Sequence, residues 1–300
     1  MEGQAKGAAA PDQSSAAAMV KILLNPVLRL PALNCIASIF KNFFFLQYRA
    51  VLFPGRIPVT SVDHPLDARV PFIPRWVDVY LDFVAFWIRI LGFLLNRYGR
   101  RCLGRAKEFL DSMNRLYQFS AEVYAKNMST TCRPYYISRP RFLLIHLTDP
   151  HLMCIPSLHV MVMILSYTRF RQILRSLEGA QAPEERIDEI NAGAARITEA
   201  ILYVKQHSVN CVSAAMYAMS RFDPALFPPE EAEVFVSRLF TKPGNLPGRS
   251  GLPGIPAADG AVIRNHIITL YRRFMDESPA PGEPWEEPLL RFLRELPGKT

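Results

Sequence analysis

Residues 76–95 read WVDVYLDFVAFWIRILGFLL, an apolar stretch of the length a helix needs to cross a bilayer. Val79, Phe83, Phe86, Ile90 and Phe93 recur with helical period. Asp82 and Arg89 interrupt the stretch seven residues apart, close to one helical face. If the segment spans a membrane, that pair must face protein rather than lipid. The alternative is a helix buried inside a bundle, and under either reading the expected architecture is all-α.

Arg97, Arg100, Arg101 and Arg105 follow directly after Leu95, a placement that suits the cytoplasmic flank of a membrane segment. They contribute to a formal charge of +8. Nucleic-acid binding is not expected: there is no zinc-finger spacing, no RNP-like strand and no basic helix free of acids. The five cysteines lack any CxxC pair, which supports neither a disulfide framework nor structural zinc. No charged region leading into an apolar run marks a secretory leader.

Four regions are expected along the chain. Residues 1–18, rich in Ala, Gly, Ser and Gln, read as a disordered tail. Residues 19–69 form an apolar N-terminal segment interrupted by Arg29, Lys41 and Arg49, so an interfacial or core helix fits better than a span. Residues 70–223 form a helical bundle. Within it, Pro74 sits near a helix start, 105–126 is an amphipathic helix, 169–195 is a polar loop leading into a helix, and 197–219 is a continuous apolar helix. Residues 224–300 read as a polar tail with a Gly/Pro-rich linker at 243–257, a helix at 261–275 and a short helix after Pro288. Its acidic-aromatic stretch around Trp285 is a candidate docking segment for a protein partner.

Three pieces carry chemistry. Lys126 and Arg133 lie seven residues apart, two turns if helical, so both cations reach one spot; a guanidinium fork with a compact ammonium suits a phosphoryl group. A solvated helix end is the plain alternative. Pro156-Ser157-Leu158-His159 precedes an apolar run and marks a helix N-terminus able to hold an anion, with a histidine beside it that can donate a proton. His207 stands in an apolar stretch with Lys205 before it and Asn210 and Cys211 three and four residues after, on its own face of a helix. Imidazole is a competent nucleophile toward phosphorus when a partner holds its other nitrogen. Taken singly, each histidine reads more readily as a structural residue.

Together the pieces resemble the type 2 phosphatidic acid phosphatase and vanadium haloperoxidase superfamily, whose signature is KxxxxxxRP, then PSGH, then SRxxxxxHxxxD. Lys126 to Pro134 matches the first element, and Pro156 to His159 matches the second with Leu for Gly. Cys154-x-Pro-Ser-Leu-His-Val is similar to the sphingomyelin-synthase-like branch, as is Val70-Pro-Phe-Ile-Pro74. The resemblance covers residues 70–219. It implies a helical bundle at a membrane such as the bacterial cytoplasmic one, with a soluble form as the alternative. It implies a lipid phosphate substrate, no metal or cofactor, His207 as nucleophile, His159 as acid, and Lys126, Arg133 and Ser157 as phosphate ligands. The departures fall in the third element, where Ala200 and Ile201 replace Ser-Arg and Cys211 replaces the supporting Asp. Lys205, Asn210 and Cys211 are the residues left to support His207. A phosphatase or phosphotransferase is expected, with an inactive lipid-phosphate-binding scaffold as the alternative.

Overall fold

The computed structural model describes residues 14–241, 254–277 and 282–296. Thirteen α-helices occur among them. In chain order, α1 (Ser15–Leu24) and α2 (Arg29–Ile39) lead through a π-helical turn (Phe40–Phe45) into α3 (Leu46–Leu52). Strand β1 (Val59–Ser61) precedes α4 (Val77–Tyr80), α5 (Asp82–Tyr98) and α6 (Leu103–Tyr124). Strand β2 (Met128–Thr130) then pairs with β1 in parallel, Val59 opposite Met128. There follow α7 (Pro140–Thr148), α8 (Leu158–Glu178), α9 (Glu184–Tyr203), α10 (Val209–Phe222), α11 (Pro229–Ser237), α12 (Ala257–Asp276) and α13 (Glu287–Glu295). The all-α expectation holds, with this one short strand pair added.

Helix α8 is the axis of the bundle. Every residue from Leu158 to Thr168 is buried, the mark of a helix enclosed on all sides, and α5, α6, α9 and α10 pack around it. Its buried hydroxyls are satisfied locally, Ser166 donating to the Val162 carbonyl and Thr168 to that of Ile164, both at 2.6 Å. Gly179, at φ +59°, occupies the left-handed region where the helix stops.

Several expectations need correction. The polar region 169–195 is not a loop, because Phe170, Ile173 and Leu174 continue the apolar period and carry α8 to Glu178. The apolar stretch 197–219 is two helices, broken at 204–208 where Lys205 takes φ +56° and Ser208 caps α10, its hydroxyl accepting from the Asn210 amide. The stretch 76–95 is divided at Leu81, and Phe86, Trp87, Ile90, Leu91 and Leu94 face the core. Among the described residues no single helix is long and apolar enough to cross a membrane; α1 with Arg29–Leu52 passes by composition only as a pair bent by 120°. Asp82 and Arg89 do face one another, at 2.6 Å.

Residues 1–13 and most of the expected linker lie outside the described residues, whereas 15–18 already belong to α1. The region after 224 is not an appended tail. Helix α12 packs along α10, placing Ile263, Ile267, Leu270 and Phe274 in the common core. Trp285, expected to meet a partner, stacks on Phe119 at 3.7 Å and donates its indole N–H to Glu122.

Candidate functional site

Two anchors bring the second and third sequence elements together. The loop before α8 is held against β2: Cys154 N–H donates to the Ser129 carbonyl at 3.1 Å, and Ile155 N–H to the Ser129 hydroxyl at 2.7 Å. The Tyr124 hydroxyl, at the end of α6, donates to the Pro156 carbonyl. Ser157 then caps α8 and His159 lies in its first turn. The break between α9 and α10 is fixed by the amides of Gln206 and His207, which both donate to the Ile201 carbonyl. Lys205 adds a clamp, its ammonium bonding the carbonyls of Asp67 and Val70.

As a result His207 Nε2 stands 3.2 Å from His159 Nδ1 and 3.4 Å from Ser157 Oγ. Tyr80 and Phe83 flank the His159 ring, at 4.9 and 4.3 Å between centroids. The histidines border a narrow, partly open cavity of about 10 Å³, room for about one water. Its remaining wall includes Asp149, His151, Cys154 and Leu158, and it is roofed by Phe43 and Gln47 from the N-terminal segment.

Burial, reinforced by the neighbouring His207, holds His159 well below the ordinary imidazole range, so it is neutral in the cavity as it stands. Burial also opposes charge on His151 and Cys154, but the two groups overcome it together. His151 is raised by the Cys154 sulfur, and Cys154 is lowered well below the thiol range by a hydrogen bond from the Cys211 thiol and by His151. Cys154 Sγ lies 3.7 Å from His151 Nε2, which also meets Thr131 Oγ1 at 2.7 Å, while Asp149 approaches the other ring nitrogen at 3.9 Å. Cys211 is pushed up by burial and by Cys154. His207 Nδ1 is buried with no hydrogen-bond partner. An attacking Nε2 needs its proton on Nδ1, where it would be a donor without an acceptor.

Of the residues expected at the site, Ser157, His159 and His207 meet. Arg133 stands behind them, outside the cavity lining but tied to its wall, donating to the Gln206 side chain at 3.1 Å and to the Asp149 carbonyl at 2.9 Å. Lys126 does not join: it pairs with Glu286 and lines no part of the cavity. The reason is backbone form. Seven residues of helix advance about 10 Å along one face, whereas 128–130 is strand, and seven extended residues span roughly 23 Å. Lys205 is turned to Asp67 and Val70. Asn210 bonds the Val62 carbonyl and His266 rather than His207, which precedes α10 instead of sharing its face. Cys211 meets Cys154.

Sequence reasoning missed His151, Asp149, Gln206 and the two roof residues. Asp149-Pro150-His151 was legible as a turn placing two ionisable groups just before the second element, and His151 indeed has φ +62°. Nothing in the sequence pointed to Phe43 or Gln47. The chain matches no model of a known protein family, no curated protein and no solved structure.

Proposed function

We propose that the chain transfers a phosphoryl group from a lipid-linked phosphate ester through a phosphohistidine at His207. The observation that carries the reading is the meeting of His207 Nε2 with His159 and Ser157, three groups from two distant sequence elements. The His207 Nε2 lone pair attacks phosphorus and the ester P–O bond breaks. The leaving oxygen keeps the electron pair and takes a proton from His159. Water then attacks, giving its proton to His159 as the N–P bond breaks and Nε2 is restored. Arg133 and the N-terminus of α8 are suited to hold the phosphoryl oxygens. A phosphate anion entering the cavity raises the proton affinity of His159, and a monoanionic ester brings the proton with it.

A second reading, a lipid-phosphate-binding relative without turnover, is favoured by the unpartnered His207 Nδ1 and by the pairing of Lys126 with Glu286. Radiolabelled phosphatidate in mixed micelles separates the two. Turnover predicts phosphate release and an acid-labile, base-stable label on the protein, both absent in His207→Ala. Full release by His207→Ala excludes the mechanism, and binding without release or label supports the second reading.

A further inference from the structure

The cavity is roofed by a segment that concentrates exposed apolar side chains and carries charge of one sign. Eleven of the nineteen large apolar side chains exposed among the described residues lie between Val20 and Phe53, with Leu24, Leu30, Phe40, Phe45 and Leu52 each more than 60% exposed. Residues 14–62 contain five cations, Lys21, Arg29, Lys41, Arg49 and Arg56, and no Asp or Glu. All five are exposed. A monomer rarely leaves so much apolar surface contiguous without a use for it. Apolar side chains interleaved with cations and free of acids match the chemistry of an anionic lipid surface, with its apolar boundary beneath a negative headgroup layer. The sharp bend between α1 and α2–α3 suits a segment lying in that boundary.

The same segment supplies the roof. Phe43 and Gln47 line the histidine cavity, and the Gln47 side-chain oxygen accepts from the Leu152 amide at 3.0 Å. Gln47 Nε2 is buried without a partner, so this side chain makes one hydrogen bond where its amide has capacity for more. The Tyr48 hydroxyl reaches the Thr148 carbonyl at the end of α7, whose exposed Leu144 and Leu147 extend the apolar face. With room for about one water, the cavity as it stands is too narrow to admit a phosphate ester.

We infer that residues 14–53 dock on an anionic bilayer and that docking draws Phe43 and Gln47 off the histidine cavity, opening it only at a membrane surface. The opening deepens the lipid-phosphate reading and rests on it for its purpose; the docking stands without it.

The test uses the full chain with phosphatidylglycerol–phosphatidylcholine vesicles and with phosphatidylcholine vesicles alone, and reads two signals that need no catalysis. Cosedimentation is expected with the anionic vesicles, to fall with added salt, and to weaken about 30-fold in Lys41→Gln/Arg49→Gln, from the usual surface contribution of two cations. Both residues are exposed, so an unchanged thermal transition separates lost docking from misfolding. The second signal is alkylation of Cys154, buried in the cavity wall and followed by peptide mass mapping apart from exposed Cys132. It is expected to speed up at least about tenfold on anionic vesicles, as for a protected site that opens. No sedimentation with anionic vesicles, or a face covered by a second copy in a dimer that ignores vesicles, overturns the docking. Sedimentation with Cys154 still protected overturns the opening. Absence of phosphate release, with both signals as expected, would count against the phosphatase reading alone.

Discussion

Replacing Cys211 by Asp tests whether the unpartnered nitrogen of His207 limits catalysis. Cys211 is buried on the first turn of α10, its thiol against Cys154, which in turn contacts His151 and His207. An Asp carboxylate extends further than the thiol, toward the His207 ring that Cys154 also contacts and whose Nδ1 lacks an acceptor. A hydrogen bond to a charged group contributes about 1.5–3 kcal/mol. If it forms as the ring gains positive charge on attacking phosphorus, about 1.36 kcal/mol per decade converts it to a gain of about 10- to 150-fold in phosphoenzyme formation. Cys211→Asn supplies an acceptor without the charge; a neutral bond of about 0.5–1.5 kcal/mol gives roughly 2- to 10-fold. The expected order is therefore Asp above Asn above Cys, read by rapid-quench labelling of His207 with the melting transition of each variant as a control. Equal rates for Asp and Asn would show that charge on the ring is not the barrier. Parent rates for both, in folded protein, would refute the reasoning.

Arg133→Ala should lower phosphate release by about 10²- to 10³-fold, as for loss of one oxyanion donor, while Lys126→Ala should stay within about twofold because its ammonium is engaged by Glu286; a steady-state comparison decides, and the reverse pattern would restore Lys126 to the site. Burial pushes the Glu199 carboxyl up to about 7 despite the Phe240 amide and the nearby Arg196, so its stabilising protonated form is fully present below about pH 4.5 and is lost as pH rises through about 7. Burial and His64 push His266 down to about 4, a contribution present above about pH 6.5 and lost as pH falls through about 4. The two slopes oppose, so Glu199→Gln should leave urea-melting stability rising between about pH 4 and 6.5; an unchanged profile would contradict the assignment. Asp82→Ala should cost about 1–3 kcal/mol by taking the carboxylate from part-buried Arg89, and Asp82→Ala/Arg89→Leu should recover most of it, measured by denaturant melts of the full cycle.

The legible parts of the fold are those dictated by local pattern. Ser157 ahead of an apolar run announced the start of α8, and the 3–4 spacing of Phe109, Met113, Leu116 and Tyr117 announced α6. The illegible parts depend on a distant partner. Lys126 to Arg133 leaves the helix because Met128–Thr130 finds Val59–Ser61, some seventy residues earlier, and no local propensity records that pairing. The break after Tyr203 had a local sign, Ser208 as a cap, but the apolar residues on both sides of it masked the interruption. Helix α12 was recognised as a helix and not as core, because an amphipathic period says that a face is buried without saying against what. At the site, His159 and His207 were found through residue type and spacing. The roof escaped because Phe43 and Gln47 matter through where α2 and α3 lie, not through their neighbours in sequence.

The clamp of Lys205 on the Asp67 and Val70 carbonyls gives the two histidines different mechanical hosts. His159 travels with α8, the enclosed axis of the bundle. His207 travels with a five-residue hinge that is strapped to the loop after β1, and Asp67 reinforces the strap by accepting from the Val209 amide at 2.9 Å. The 3.2 Å between His207 Nε2 and His159 Nδ1 is thus fixed from two sides, by the axis of the bundle on one and by the 63–70 segment on the other, so a substitution in that segment bears on His207 before it bears on His159.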